Sequence, residues 1–264
     1  MTLSWFDGAV LGLVQGLTEF LPISSSGHLV LAEELLGYSS PGLYFEIGLH
    51  VATLLSVFIA YGGRIRQLIH GLLNRQGEAW RYAGLLLLAS VPAAVVGIGF
   101  RNVVERAFEP GPLLGVSFLF TAGVLWSTRR VVSRATTDQM SAGAALAMGV
   151  GQAIAIVPAI SRSGTSIAAG LWAGVAPARA AEFSFLMSVI AIAGSAVLEV
   201  RHLPPGVDLL NAGFASAFVT ALVSGIWAIR FLVALLRSQK FHLFAGYCAL
   251  VGVFTILWYG VFQR

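Results

Sequence analysis

Charged residues are scarce in this chain. Only 11% of its 264 residues are Asp, Glu, Lys or Arg, whereas 57% are hydrophobic, and the mean hydropathy is +0.84. Soluble domains carry about 25% charged residues, so this chain cannot cover a globular surface with polar groups. We therefore predict an integral membrane protein, with a single membrane domain over residues 1–264.

Cysteine is almost absent as well. The one cysteine, Cys248, lies in an apolar segment, which excludes an intramolecular disulfide framework. The net charge of +4 comes from basic residues in short loops between apolar runs, a pattern that indicates membrane topology and no nucleic-acid partner. No positively charged region precedes the first apolar stretch, so we expect no signal peptide.

Two polar stretches interrupt the apolar sequence and share one frame. Residues 15–28 read QGLTEFLPISSSGH, and residues 152–166 read QAIAIVPAISRSGTS. A shift of 137 positions (152 minus 15) superposes Gln15 on Gln152 and Gly27 on Gly164. The chain therefore divides into two repeats, residues 1–137 and 138–264.

The two stretches differ at the positions that carry chemistry. Glu19 corresponds to Ile156, and Ser25 corresponds to Arg162. A duplicated backbone frame with complementary polar groups allows two halves of a membrane protein to build one site. We predict a single site to which both repeats contribute.

The repeats predict the same order of helices twice. In each, a helix stops at a proline (Pro22 or Pro158) and a second, short helix follows. Full membrane spans are expected near residues 43–61, 82–100, 112–128, 178–198, 211–236 and 242–262. The predicted fold class is an all-α integral membrane protein with an inverted-topology repeat, each half a re-entrant helical hairpin plus three transmembrane helices.

Loop charges predict the orientation of the chain. Ten of the 16 Lys and Arg residues fall on one predicted side: Arg64, Arg66, Arg75, Arg81, Arg129, Arg130, Arg134, Arg179, Arg237 and Lys240. The other side holds Arg101, Arg106, Arg201 and Arg264. By the positive-inside rule the first side is cytoplasmic, so both termini are predicted to face outward.

The starts of the two short helices predict an anion site. Hydroxyl groups and unpaired backbone N–H groups at a helix amino terminus attract anions, and the helix dipole adds partial positive charge. The residues concerned are Ser24, Ser25, Ser26, Gly27, Ser161, Ser163 and Gly164. The alternative is that these serines only cap their helices, and its weakness is that two serine-rich starts occupy related positions.

Arg162 is the most informative single residue. A guanidinium between apolar helices is costly in a bilayer and usually faces a polar cavity or a partner. Its planar fork suits phosphate or carboxylate. The alternative is a structural ion pair with Glu19, Glu46 or Glu182.

Glu19 and His28 are the candidate proton carriers. Glu19 lies four residues after Gln15, on the same helix face, and could activate a nucleophile or bind a divalent cation together with Gln15. Alternatively, burial keeps its carboxyl group neutral. His28 could act as acid, base or nucleophile, or it could be an ordinary core histidine.

The stretches QGLTEFLPISSSGH and PAISRSGTS resemble the two signatures of the bacterial undecaprenyl-diphosphatase family, of the bacitracin-resistance type. The length, the duplicated layout and the segment FSFLMS are also similar, so the resemblance covers essentially the whole chain. The family pattern has Gly where this chain has Ala159, Thr where it has Ser166, and a proline near Ile190 that this chain lacks.

The resemblance implies a multi-pass enzyme of the bacterial plasma (inner) membrane with its active site facing the periplasm. It would hydrolyse undecaprenyl diphosphate to undecaprenyl phosphate, the lipid carrier of cell-wall synthesis, and inorganic phosphate. Glu19, Ser25, His28 and Arg162 would be catalytic, with Gln15, Ser161, Ser163 and Ser166 in substrate binding. The implied cofactor is a divalent cation, Mg²⁺ or Ca²⁺, at Glu19 and Gln15.

Other functions and partners stay open at this point. The same anion site would serve a transporter or flippase of lipid phosphates, since inverted repeats with broken helices are typical of transporters. A second class of membrane lipid phosphatase pairs Ser-Gly-His with a Lys-containing motif, which does not fit a chain whose one lysine is Lys240. Besides the polyprenyl diphosphate and membrane lipids, a second copy of the chain in a homodimer is the partner to consider.

Overall fold

The computed structural model describes residues 3–37, 43–99, 111–200 and 211–262. Within these ranges the regular structure is helical, and the one β-bridge joins Thr137 to Val175. The α-helices of these ranges are α1 (Trp5–Phe20), α2 (Ser25–Leu36), α3 (Leu43–Ala60), α4 (Gly62–Leu73), α5 (Gly77–Gly99), α6 (Pro112–Ser127), α7 (Ala142–Ile154), α8 (Arg162–Trp172), α9 (Pro177–Val200), α10 (Ala212–Arg237) and α11 (Phe244–Leu257). Thr128–Arg130 and Phe241–Leu243 form short 3₁₀ turns, and Trp258–Phe262 forms a π-helical turn.

Both predicted helix breaks are present. The break between α1 and α2 contains Pro22, and the break between α7 and α8 contains Pro158. Proline cannot donate a backbone hydrogen bond and clashes with the preceding helical turn, so the helix stops. At 12 and 11 residues, α2 and α8 are too short to cross a hydrocarbon core of about 30 Å.

The predicted spans are confirmed in part. Four segments of the described residues are long and apolar enough to cross a membrane, namely α5, α9, α10 and Phe241–Val261, which contains α11. A fifth is obtained if α3 and α4, which meet at an angle of 77°, are counted as one bent span. Near residues 112–128 the structure has α6, whose 16 residues fall short of a full crossing. The chain is therefore a multi-pass, all-helical membrane protein.

The stretch that carries Arg64, Arg66, Arg75 and Arg81, predicted as a short loop between two spans, is mostly helical. The chain turns at Tyr61, forms the helix α4 and enters α5 at Gly77. Ile65 and Leu68, three residues apart on one face of α4, pack against the main hydrophobic core. The high density of basic residues in this stretch favoured a loop in the sequence analysis, although the stretch forms an amphipathic helix.

Glycine residues allow helices of different repeats to touch backbone to backbone. A Cβ atom on Gly12 of α1 would lie 2.1 Å from the carbonyl oxygen of Ala217 in α10. Its counterpart in the second repeat, Gly149 of α7, would place a Cβ atom 2.2 Å from the carbonyl oxygen of Ala89 in α5. The first helix of each repeat thus packs tightly against a long helix of the other, as small residues permit in membrane proteins.

We expect Gly149→Ala to lower the melting temperature of the purified protein. The added methyl group would press on the Ala89 carbonyl group, and overpacking of this kind costs about 1–3 kcal/mol. Gly143→Ala in the same helix is the matched control, because a Cβ atom there meets nothing within 4 Å. The control should be neutral or stabilising by up to about 1 kcal/mol. Thermal unfolding in detergent compares the two, and equal melting temperatures would contradict close packing at Gly149.

Candidate active site

The two helix breaks meet inside the protein. The hydroxyl of Ser163, at the start of α8, donates to the carbonyl oxygen of Leu21 at 3.2 Å. In the opposite direction, the backbone N–H of Ala159 donates to the hydroxyl of Ser26 in α2 at 3.3 Å. Each short helix therefore uses a serine to hold the break of the other repeat.

The contacts between the breaks occur in matched pairs. A Cβ atom on Gly27 would lie 2.8 Å from the Cβ atom of Ala159, and one on Gly164 would lie 3.4 Å from that of Pro22. The shift of 137 positions that relates Gly27 to Gly164 (164 minus 27) also relates Pro22 to Ala159 (159 minus 22). The same contact is therefore made twice, once by each repeat, and a glycine permits it on both sides.

Glu19 is the centre of the polar cluster between the breaks. It lies near the end of α1, is 6% exposed, and one of its carboxylate oxygens forms a salt bridge with the guanidinium of Arg162. The other oxygen accepts from the Ser25 hydroxyl at 2.5 Å and from the Gln15 amide at 3.1 Å. The cluster brings together residues of both predicted motifs.

The partner of Arg162 is thus one of the three that the sequence left open. Glu182 is instead bound by Arg64, with 2.9 Å between Nε and the carboxylate, and by the Tyr82 hydroxyl at 3.3 Å. The two carboxylates therefore belong to separate networks.

His28 lies beside the cluster and has two partners. Its Nδ1 atom is 2.7 Å from the carbonyl oxygen of Ser24, and its Nε2 atom is 2.7 Å from the hydroxyl of Tyr247 in α11. The Tyr247 ring stacks on the imidazole with the centroids 5.6 Å apart, and the edge of Phe118 closes another side at 5.2 Å. Sequence reasoning missed Tyr247, whose only signal was a polar aromatic residue within an apolar span.

The remaining predicted serines have different roles. Ser161 caps α8, since its side chain accepts from the N–H of Gly164 at 3.1 Å, so the capping alternative holds there. Ser24 makes no such capping bond, and its hydroxyl is 3.3 Å from that of Ser26. Ser166 is fully buried, and its hydroxyl is engaged by the Arg162 carbonyl group and by Ser184 of α9, each at 2.7 Å. Ser166 therefore links α8 to α9.

Gln15 and Gln152 occupy the same place in the two repeats but not the same environment. Gln15 donates to Glu19, whereas both polar atoms of the buried Gln152 side chain have no hydrogen-bond partner among the described residues. Ile156, which corresponds to Glu19, cannot accept a hydrogen bond from Gln152. The polar chemistry of the site is therefore carried by one copy of the glutamine.

The backbone is strained at both breaks. Ser24 has φ = 71° and Ala159 has φ = 62°, in the left-handed region that costs residues with a Cβ atom about 1–2 kcal/mol. The departure from the family pattern at Ala159, noted from the sequence, therefore falls where glycine would be relaxed. Strain of this kind concentrates at functional sites, where the surrounding structure holds it in place.

Comparisons with known proteins identify the family. A family model described as "Bacitracin resistance protein BacA" matches residues 8–254. The chain belongs to the BacA family. The polar cluster between the breaks is built from the residues that carried the resemblance in sequence.

Relatives of this chain align with it over nearly its full length. A protein of Desulfosudis oleivorans is 39% identical over 270 residues, covering 97% of this chain and 98% of the relative. Proteins of Carboxydothermus hydrogenoformans and Parabacteroides distasonis are 39% and 37% identical, over 96% of this chain in both cases and over 96% and 98% of the relatives. All three are named undecaprenyl-diphosphatase.

The cluster fits a divalent cation only in part. The side-chain oxygen of Gln15 is buried without a hydrogen-bond partner next to the Glu19 carboxylate, which offers an unused oxygen ligand. The described residues hold no group of three or more His, Cys, Asp or Glu side chains that could bind a metal ion. The protein could therefore supply about two oxygen ligands, the pattern of a Mg²⁺ ion completed by substrate phosphates and water.

We expect glycine and valine at position 159 to have different effects on the melting temperature, because their side chains differ in shape. Ala159→Gly relieves the left-handed backbone and loses one buried methyl group, worth about 1 kcal/mol, so the melting temperature should stay near that of the wild type or rise. Ala159→Val places a β-branched residue at positive φ and crowds Gly27, so the melting temperature should fall sharply. Thermal unfolding of both variants tests this, and valine tolerated as well as glycine would contradict the assigned backbone geometry.

Proposed function

We propose that this chain is an undecaprenyl-diphosphatase of the bacterial plasma membrane. It hydrolyses undecaprenyl diphosphate to undecaprenyl phosphate and inorganic phosphate, which recycles the cell-wall lipid carrier and confers bacitracin resistance. Family membership and the names of full-length relatives support the reaction. The observation that carries it in the structure is the meeting of Arg162, Glu19 and Ser25, a guanidinium, a carboxylate and a hydroxyl contributed by both hairpins.

The transporter alternative gains no support from the comparisons. The relatives are named for a hydrolase, and the cluster contains the groups that hydrolysis requires in addition to those that bind an anion. We therefore carry only the enzymatic function further.

Arg162 binds the diphosphate in this proposal. Its planar guanidinium fork suits two phosphate oxygens, and its side chain retains 24% exposure. The amino termini of α2 and α8 add hydroxyl groups and partial positive charge beside it. Before substrate binds, Glu19 neutralises Arg162; a bound diphosphate replaces Glu19 as the partner of the guanidinium and leaves the carboxylate free to accept a proton.

Ser25 is the nucleophile in this proposal. Its hydroxyl already donates to Glu19, so the carboxylate takes the proton as the oxygen attacks the terminal phosphorus. The bond from that phosphorus to the bridging oxygen breaks, and undecaprenyl phosphate leaves. A water molecule then hydrolyses the phosphoserine, which releases inorganic phosphate and restores Ser25. His28 lies in reach of the same region and serves the leaving group or the water.

A divalent cation completes the proposed site. Glu19 and Gln15 would hold it, and when bound it would offset the charge of the two phosphate groups. Phosphoryl transfer depends mainly on positioning and charge stabilisation, which are the contributions of Arg162 and of the two helix starts.

An apolar groove is the proposed place of the prenyl tail. It has a volume of about 620 Å³ and lies between α6 of the first repeat and α7 and α8 of the second. Phe120, Leu146 and Trp172 line it, and Thr165, three residues after Arg162, lies on its wall. A diphosphate at Arg162 would therefore have an apolar path along α8 for the first isoprene units.

The matched contacts of the two breaks support an inverted-topology repeat with two re-entrant hairpins. The basic ends of several helices also meet: Arg81 donates to the Met140 carbonyl group at 2.7 Å, and Arg179 pairs with Asp138 at 3.6 Å. We propose that this face is cytoplasmic, with the termini and the opening of the site on the periplasmic side. Arg101, Arg106, Arg201 and Arg264, predicted on the opposite face, lie outside the described residues.

The reaction is tested by phosphate release from a long-chain prenyl diphosphate, with and without divalent cation. Glu19→Gln, Ser25→Ala and Arg162→Lys should each lower turnover by about 100-fold or more, the usual effect of removing a group that stabilises or activates the transition state. Glu182→Gln, which breaks the separate pair with Arg64, is the control and should keep turnover within about tenfold of the wild type. No turnover by folded wild-type protein would refute the proposed function.

Tyr247→Phe tests whether the position of His28 matters. The variant keeps the stacked ring and loses the hydroxyl 2.7 Å from Nε2, so turnover should fall about tenfold, the value of one hydrogen bond of about 1.4 kcal/mol. Tyr259→Phe is the control, because it removes a tyrosine hydroxyl that contacts Glu34 instead. A similar loss in both variants, or none in Tyr247→Phe, would show that His28 does not depend on Tyr247.

A further inference from the structure

A polar cavity lies away from the Glu19–Arg162 cluster. Its volume is about 850 Å³, and it is enclosed by α4, the start of α5, the segment before α7 and the start of α9. None of the residues from the two sequence motifs lines it. Arginine is the most frequent charged residue in its lining, which contains Arg64, Arg66, Arg81 and Arg179.

Two of the four arginines are held by carboxylates. Arg64 pairs with Glu182 at 2.9 Å, and its guanidinium lies over the ring of Tyr82, 4.9 Å from the centroid. Arg179 pairs with Asp138 at 3.6 Å and with Glu182 at 3.4 Å. These contacts fix one wall of the cavity and neutralise most of its charge.

The other two arginines are not paired with a carboxylate of the described residues. Arg81 donates to a backbone carbonyl group, that of Met140, and Arg66 is exposed and has no ion pair with the described residues. With Glu78 included, four arginines face three carboxylates, an excess of one positive charge (4 minus 3) before His70 is counted. A negatively charged ligand would complement this excess of positive charge.

Three features of α4 and α5 beside the cavity are typical of the membrane surface. The axis of α4 is turned by 77° from that of α3, as in a helix that leaves a membrane span to lie along the surface. Ile69 and Leu73 of α4 are exposed apolar side chains. Trp80, at the start of α5, is exposed as well, and tryptophan is enriched at the headgroup level.

We propose that this cavity binds the phosphodiester headgroup of an anionic phospholipid, with Arg66 and Arg81 contacting the phosphate. A free phosphate would satisfy the same guanidinium groups. The lipid is favoured because Ile69 and Leu73 lie on the same helix as Arg66 and offer apolar contact to acyl chains. In the proposed orientation the lipid belongs to the cytoplasmic leaflet, whose anionic lipids attract arginines close to the surface.

Native mass spectrometry of the detergent-purified protein, titrated with phosphatidylglycerol, tests the site. The variant Arg66→Gln/Arg81→Gln should bind the lipid about 25-fold more weakly, since each arginine near an anionic headgroup contributes about fivefold. Arg130→Gln/Arg134→Gln removes the same charge from exposed positions outside the cavity and should change the affinity less than twofold. If the double variant does not fold, Arg66→Gln alone, at an exposed position, should lower the lipid affinity about fivefold.

Several outcomes would overturn the proposal. Unchanged affinity in the Arg66 variants would show that Arg66 and Arg81 do not hold the headgroup. An equal loss in the Arg130/Arg134 control would show that the lipid responds to overall surface charge. Displacement of bound phosphatidylglycerol by millimolar inorganic phosphate would assign the cavity to free phosphate. Phosphatidylcholine, which has the same phosphodiester but no net charge, should bind the wild type more weakly than phosphatidylglycerol does, and equal binding of the two lipids would also contradict the proposal.

Discussion

The salt bridge between Glu19 and Arg162 is the interaction on which the arrangement of the two hairpins depends. A charge buried among apolar helices without a partner costs several kcal/mol, and each of these charges comes from a different repeat. The salt bridge therefore favours the arrangement in which the two helix breaks lie side by side. The glycines and serines around the pair make this possible at close range, because Gly27 and Gly164 leave room for the opposing break and Ser26 and Ser163 satisfy its backbone.

The frame of the site is repeated, but its chemistry is not. Where the first repeat has Glu19, the second has Ile156, and a single carboxylate faces a single guanidinium. The buried amide of Gln152 shows the result of this divergence, since it occupies the place of Gln15 without the carboxylate that Gln15 binds. One asymmetric site between two similar hairpins is suited to a substrate whose ends differ, a charged diphosphate at one end and an apolar chain at the other.

Much of this arrangement could be predicted from local sequence signals. Pro22 and Pro158 marked the breaks, and the repeated frame indicated that Glu19 and Arg162 belong to one site. The contact of His28 with Tyr247 could not be predicted, because the two are 219 residues apart and neither lies in a pattern that reports the other. The helix α4 was missed for another reason: its arginines resemble those of a topogenic loop, and only the packing of Ile65 and Leu68 shows which face is buried. For Arg162 the sequence supplied three possible carboxylate partners, and the tertiary fold selected one.

The separation of Glu19 from Arg162 along the chain has a consequence for biosynthesis. The two residues are 143 positions apart, so at ribosomal rates of about 5–20 residues per second Glu19 is made roughly 7–29 s before its counter-ion. During that interval a carboxylate that cannot rest in hydrocarbon without a partner must stay near water or bind a proton. The salt bridge that neutralises both charges can therefore form only after the second half of the chain has been made.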